Sequence, residues 1–358
     1  AEVGDKPRTW DLARDVVVLD HWPGSDWAFY VAEEVKVARS WQALREFDLR
    51  KTARHESRQA FADFAELRLK PVDPVLVLPS VRVDYFRQIG RWSVDPRLAA
   101  RWQIVPGTAI AGGVGLYQQA PTPAEADDDT GNPNLVPERS VHASLTLEQR
   151  VVDGVDVTAT GFYKHLDNLV VRNPLRVTDA SQPRYTNDGT GRIFGAELQV
   201  KARLGDFQGW VAYTFQRSFR TDGFGREERL FDFDQPHILT AVGNYELGAG
   251  WTVGARFRLV SGNPTTPVVG SVYDAGSDTY VPRYGEVNSE RLPLFHQLDV
   301  RVDKAFTFQS WKLGVYLDIQ NVYNQGNAEG YSYSFDYSER QPITGLPILP
   351  ILGLKGEW

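Results

Sequence analysis

The chain has no cysteine and no methionine. Without thiols there is no disulfide framework and no thiolate metal centre, and the redox state of the compartment is left open. No run of about 18 apolar residues occurs, which excludes a transmembrane helix. No basic cluster is present and the net charge is −7, so a general nucleic-acid binder is excluded as well. The histidines (His21, His55, His142, His165, His237 and His296) never fall at a ligand spacing such as His-x-x-x-His. No metal and no cofactor is therefore expected. There is no Gly-x-Ser-x-Gly stretch, no glycine-rich phosphate loop and no Ser/His/Asp set that converges by spacing, and the chain reads as non-enzymatic. The first residues, Ala1-Glu2-Val3-Gly4-Asp5, lack a basic region followed by an apolar core. No signal peptide is expected here, so the chain reads as already processed or as a fragment.

What the chain does have is alternation. In segment 311–323, Trp311, Leu313, Val315, Leu317 and Ile319 take one parity, and Lys312, Gly314, Tyr316, Asp318 and Gln320 take the other. Side chains alternate across a strand, so one face is apolar while its opposite carries charge and amide. Segment 294–303 sets Leu294, His296, Leu298, Val300 and Val302 against Gln297, Asp299, Arg301 and Asp303. Segment 251–259 sets Trp251, Val253, Ala255, Phe257 and Leu259 against Thr252, Arg256 and Arg258. In 194–204, Phe194, Leu198 and Val200 oppose Glu197, Lys201 and Arg203; in 141–151, Val141, Leu145 and Leu147 oppose Glu148 and Arg150. The chain ends with Leu352, Leu354 and Trp358 against Lys355 and Glu357. Strands of soluble sheets average about five or six residues. A tilted membrane strand needs about nine to eleven, and these segments reach that length. Mean hydropathy is −0.36, a soluble-looking value that a barrel also gives, because only every second strand residue meets lipid.

The connections sort by length. Tight turns are expected at Val72-Asp73-Pro74, Pro106-Gly107, Asp153-Gly154, Gly205-Asp206, Gly248-Ala249-Gly250 and Gln309-Ser310. Long polar segments lie between them, at 119–140, 172–190, 218–236, 262–292 and 324–344. Strict alternation of short and long connections is expected of an up-and-down barrel with tight turns at one rim and long loops at the other. A Greek-key sandwich does not sort its loops this way. The predicted fold is an all-β transmembrane antiparallel up-and-down barrel of about 14–16 strands, a single domain over 1–358. Near the N-terminus, Val16-Val17-Val18-Leu19 is a short apolar run, 27–37 alternates in part, and 41–50 reads as an amphipathic helix or, with strands expected at 61–70 and 76–86, as a strand.

Three phrases stand at strand entrances. They are Asn132-Pro133-Asn134-Leu135-Val136-Pro137-Glu138-Arg139-Ser140, Asn187-Asp188-Gly189-Thr190-Gly191-Arg192-Ile193-Phe194-Gly195-Ala196-Glu197-Leu198 and Phe231-Asp232-Phe233-Asp234-Gln235-Pro236-His237. In this order they resemble the C-terminal barrel of TonB-dependent outer-membrane receptors, over roughly residues 60 to 358. The resemblance implies a bacterial outer-membrane location and energised uptake of a scarce bulky solute such as a siderophore, carbohydrate or peptide. It implies contact with outer-membrane lipid and with the barrel-assembly machinery, and with a plug and energy-coupling protein if a longer chain exists. Family members carry an N-terminal plug and about twenty-two strands, and this chain shows neither. It reads as part of such a barrel or as a reduced relative without a plug. A plugless barrel docking into an envelope complex, or a passive porin, are the competing functions.

The residues expected to face the lumen are Glu148, Arg150, Glu197, Lys201, Arg203, Arg256, Arg258, Asp299, Arg301, Asp303, Lys312 and Asp318. On the lipid side such charges would cost about 2–4 kcal/mol each at mid-membrane; on the water side they solvate the interior and pair across strands. Tyr117, Gln118, Phe231, Phe233, Tyr331 and Tyr333 are assigned to loops, where aromatics suit stacking on a ligand or a partner. The acidic run Glu125, Asp127, Asp128 and Asp129 reads as solvated charge rather than a Ca²⁺ loop. Resemblance to outer-membrane barrels makes Gly353 and Trp358 part of a C-terminal assembly signal. Gly356 and Ile351 depart from its usual pattern.

Overall fold

The computed structural model describes residues 16–17, 60–223 and 225–358. The strands expected in 27–37 and 41–50 lie outside these residues. The wall begins with β1 (Val16–Val17), β2 (Ala60–Glu66), β3 (Leu69–Val72), β4 (Val75–Phe86), β5 (Arg91–Val105), β6 (Thr108–Gln119) and β7 (Glu138–Val152). It continues through β8 (Val155–Arg172), β9 (Tyr185–Leu204), β10 (Phe207–Thr221), β11 (Glu228–Leu230), β12 (His237–Gly248) and β13 (Trp251–Val260). A long connection then holds β14 (Pro264–Thr265), β15 (Val268–Asp274), β16 (Thr279–Tyr284) and β17 (Glu290–Arg291). After it come β18 (Phe295–Thr307), β19 (Lys312–Gln320), β20 (Ala328–Tyr333), β21 (Arg340–Thr344) and β22 (Leu349–Glu357).

A 16-stranded antiparallel sheet follows chain order, β1-β2-β4-β5-β6-β7-β8-β9-β10-β12-β13-β18-β19-β22, with β3 added to β4 and β11 to β10. This is up-and-down topology, the consequence of joining each long strand to the next through a hairpin. Among the described residues β22 pairs with β19 and no strand covers its other edge.

The expected turns join the strands at one rim, and they are tied to the neighbouring hairpin. The Gly107 carbonyl accepts from Arg150 N at 2.7 Å, that of Gly154 from Arg203 N at 2.7 Å, and that of Gly250 from Ala305 N at 2.7 Å. Gly154 sits at φ +82, where a Cβ would also overlap the Arg203 carbonyl. Glycine is the residue that fits both demands.

Three expectations need correction. The strand expected over 61–70 is broken, because β2 ends at Glu66 and Leu67 N instead bonds Pro79 O at 3.0 Å. The strand expected over 311–323 ends at Gln320. Asn321 turns into φ +53, and its Oδ1 accepts from Gln325 N at 2.8 Å, so a local side-chain bond competes with the ladder. The long polar segments 262–292 and 324–344 are hairpins of their own, β15–β16 and β20–β21, standing outside the main sheet.

Candidate functional site

Register shows which residues share a face, because directly opposed side chains do. Arg150 opposes Asp156, Asp156 opposes Lys201, Lys201 opposes Trp210, and Trp210 opposes Val242. Val242 opposes Arg256, Arg256 opposes Asp299, and Arg301 opposes Asp318. With the period of two along each strand, all the charged residues named above fall on one face of the sheet. Many of them are neutralised by neighbours. Glu148 receives Arg101 at 2.8 Å, Arg150 meets Asp156 at 3.1 Å, Arg256 meets Asp299 at 2.6 Å, and Arg301 meets Asp303 at 2.7 Å. Glu197 accepts from Thr214 Oγ1 at 3.4 Å, Arg258 lies over the Phe295 ring at 5.7 Å, and Arg203 and Lys312 stand opposite Gln208 and Glu357. Apart from Arg256–Asp299, whose carboxylate is buried, these half-exposed pairs contribute about 0–1 kcal/mol each, so they solvate the face more than they stabilise it.

The opposite face is apolar and bounded by rings. Near the tight turns stand Trp102, Phe207, Tyr245, Trp251, Phe306 and Trp311, all exposed. Lys304 stands among them, its ammonium over Trp251 at 5.0 Å and over Phe306 at 5.3 Å. At the other rim, Tyr85 packs on Trp92 at 4.9 Å, Tyr213 shares a 2.7 Å hydrogen bond with His237, and His296 shares one of 2.9 Å with Tyr323. Between the two girdles the face is mostly Val, Leu and Ala, with Phe257 and Gly243 among them. Leu145 is 64% exposed and Leu352 73%, whereas Asp299 is 7% exposed. Among the described residues the buried apolar side chains are Ala109, Ala126, Leu135, Leu169 and Val260 with Pro121, Pro137, Pro264 and Pro267, and buried Asp, Asn and Ser outnumber them. A water-soluble sheet buries the face that is exposed here. An apolar band between aromatic girdles is the surface a barrel presents to lipid.

The loop rim is held by amide and carboxylate staples that sequence reading did not single out. Asn187 accepts from Val136 N at 2.9 Å and donates to Val136 O at 3.0 Å and Asn168 O at 2.7 Å. Asn327 accepts from His296 N and donates to His296 O, both at 3.0 Å, reproducing a strand pair with a side chain. Asp234 is fully buried, accepts from Ser218 N at 2.6 Å, and is bound by Arg291, with Arg217 at 3.4 Å. Asn187 and Asp234 lie in two of the motif phrases, which was the available signal. Asp127 in the acidic run caps its own turn, accepting from Asp129 N and Thr130 N. Among the described residues no group of His, Cys, Asp and Glu is arranged to hold a metal.

The residues assigned to loops divide. Tyr117 and Gln118 are not in a loop; they close β6. There the Tyr117 ring is sandwiched between Arg97 at 4.2 Å and His142 at 4.3 Å, and Gln118 Nε2 donates to Asp95 at 2.9 Å. This network stabilises the end of the strand. Phe231 and Phe233 follow β11 and meet edge-on at 5.5 Å, with Arg220 over Phe231 at 4.0 Å. Tyr331 and Tyr333 lie on β20, and Arg340 covers Tyr331 at 4.7 Å. Hairpins β15–β16 and β20–β21 dock on one another: Ser271 Oγ donates to Asp336 O at 2.6 Å and Tyr280 meets Phe335 edge-on at 5.3 Å. Gly353 and Trp358 occupy β22 and the residue after it.

A family model of TonB dependent receptor-like β-barrels matches residues 8–322. The chain belongs to the TonB-dependent receptor β-barrel family. Its fold is similar to that of the outer membrane transporter YddB from Escherichia coli, at 14% identity and a TM-score of 0.61, covering 83% of this chain and 44% of that one. It is similar to the ferripyoverdine receptor of the outer membrane of Pseudomonas aeruginosa, at 14% identity and a TM-score of 0.60, covering 84% and 38%. The siderophore receptor PirA from Acinetobacter baumannii matches at 14% identity and a TM-score of 0.59, covering 82% and 45%. The chain spans less than half the length of these proteins. The family and these neighbours are receptors and transporters rather than enzymes, and the homologous barrels are outer-membrane proteins.

Proposed function

We propose that this chain is the barrel wall of an outer-membrane receptor that takes up a scarce, bulky solute with energy supplied through TonB. The observation that carries the reading is the inverted sheet of a family member: an apolar band between two aromatic girdles, backed by a charged face and crowned at one rim by stapled loops. In this reading residues 1–358 form one barrel domain in the outer membrane. Glu148, Arg150, Glu197, Lys201, Arg203, Arg256, Arg258, Asp299, Arg301, Asp303, Lys312 and Asp318 line the water side, facing a plug or a passing solute. Phe231, Phe233, Tyr331 and Tyr333 stand at the mouth, where rings stack on ligand, while Tyr117 works from inside the wall. Gly353 and Trp358 present the last strand to the barrel-assembly machinery. Family membership favours uptake over a docking scaffold or a passive porin.

The test uses the natural full-length product in the outer membrane of a Gram-negative host. Fractionation should place it there, and uptake of its solute should stop when TonB is deleted or the inner membrane is uncoupled. Permeation that is indifferent to both treatments would refute energised uptake and leave a passive pore.

A further inference from the structure

A cavity of about 150 Å³ lies where β18, β19 and the foot of the β20–β21 hairpin meet, lined among others by Phe295, Gln297, Gln320 and Glu329. Register puts Gln297 and Gln320 on the charged face, since Gln297 opposes Arg258 and Gln320 follows Asp318 with the period of two. The cavity therefore opens toward the water side at the loop rim. Its size matches a single six-membered ring, because a cavity of about this volume accepts benzene when its lining is apolar. Here the lining is not apolar.

Two polar neighbours in the wall are already used. Asn327 spends its amide on the His296 backbone, and Asn321 spends its own on Gln325 and Leu346. Three other groups are not. Gln297 donates to Asp299 at 2.7 Å, leaving its carbonyl oxygen and second N–H unengaged. Among the described residues the half-buried Gln320 amide and the exposed Glu329 carboxylate have no hydrogen-bond partner. The Glu329 carboxylate lies over Gly345, where a Cβ would come within 2.5 Å of its Oε1, so the absence of a side chain there leaves it room. Phe295 supplies an aromatic surface, steadied by Arg258.

One carboxylate with two amides around a ring-sized space both accepts from and donates to hydroxyls. A few convergent polar groups on an apolar surface are how small-molecule sites fix orientation. The lone carboxylate opposes an anionic ligand and is too few for a hard cation. We infer that this cavity is a subsite for one ring of a neutral polyhydroxylated ligand, a sugar residue, at the mouth of the barrel. The inference deepens the uptake reading and rests on it for the position of the cavity at the entrance.

The experiment is saturation-transfer NMR on the full chain folded in detergent micelles. The probes are glucose, galactose, mannose and N-acetylglucosamine, with 2,3-dihydroxybenzoate as the anionic comparison. At least one neutral sugar should bind, and the catecholate should not compete with it. Gln320→Ala and Glu329→Ala should each weaken sugar binding roughly tenfold, and Glu329→Gln should recover part of the loss. Circular dichroism verifies that each variant keeps the sheet. No sugar binding, binding untouched by both alanine variants, or displacement by the catecholate would overturn the subsite. A barrel that shows energised uptake but binds no sugar overturns this inference alone. A barrel that binds sugar here but takes up solute without energy overturns only the proposed function.

Discussion

The last strand is locked by a ring on a glycine, which can be tested directly. Tyr316 on β19 opposes Gly353 on β22, and a Cβ on Gly353 would overlap Cζ, Oη and Cε1 of the ring. Tyr316 cannot swing away freely, because the Arg301 guanidinium stacks on it at 3.8 Å and is itself paired with Asp303 at 2.7 Å. Gly353→Ala therefore costs an overpacking term of about 1–3 kcal/mol, plus about 0.5–1 kcal/mol where the displaced ring loses its cation. The expected destabilisation is about 1.5–4 kcal/mol. Gly314 on the same strand pair is the contrast: its Cβ would meet Lys355 Cβ at 3.7 Å, an ordinary contact. Gly314→Ala is expected to be neutral or to stabilise by up to about 1 kcal/mol, since glycine is costly within a strand. Urea unfolding of the barrel in lipid vesicles, followed by tryptophan fluorescence, measures both. In the double variant Gly353→Ala with Tyr316→Ala, the added cost of the alanine should fall below about 0.5 kcal/mol. If the two glycine variants behave alike, or the double variant shows no relief, the ring-on-glycine lock is wrong.

Further outcomes follow from the same geometry. Leu145→Arg places a charge in the middle of the apolar band and should cost about 2–4 kcal/mol in vesicle-folded protein, whereas on a soluble surface it would stay within about 0.5 kcal/mol; equal stability of wild type and variant would count against lipid contact. Asn187→Ala leaves the Val136 backbone groups unpaired at a cost of about 1–3 kcal/mol, and limited proteolysis should then cut the connection between β6 and β7 faster; unchanged cutting would remove the staple. The Asp336 carboxyl is pulled down to about 2 by the hydroxyls of Ser334 and Ser338 and the Ser338 N–H. A depressed folded value means stabilisation that is present above the unfolded value of about 3.9 and lost as pH falls from there through about 2. Hydrogen exchange at 334–338 should accelerate across that window, with no such step in Asp336→Ala; a tip whose protection ignores pH would contradict it.

Much of the wall was legible because its code is local. Period-two alternation and the position of Gly-containing turns are set by neighbouring residues, so the strand order and the shared face of Glu148 through Asp318 could be read without coordinates. Where reading failed, a side-chain partner had won, distant at β6 and both local and distant at the end of β19. Tyr117 and Gln118 look like loop composition but are drawn into β6 by Arg97, His142 and Asp95. Asn321 looks like a continuation of β19, yet Gln325 and Leu346 pull it out of the ladder.

The sequence by itself determined the two-faced strands and hence the side on which charge is tolerable. The tertiary structure alone decided how the long connections are held: which asparagine staples which backbone, that β15–β16 and β20–β21 dock together, and that unspent amides gather around Phe295. The physical reason is range. Alternation is enforced residue by residue through the pleat, whereas a hydrogen bond between His296 and Asn327 depends on the whole chain between them returning to one place.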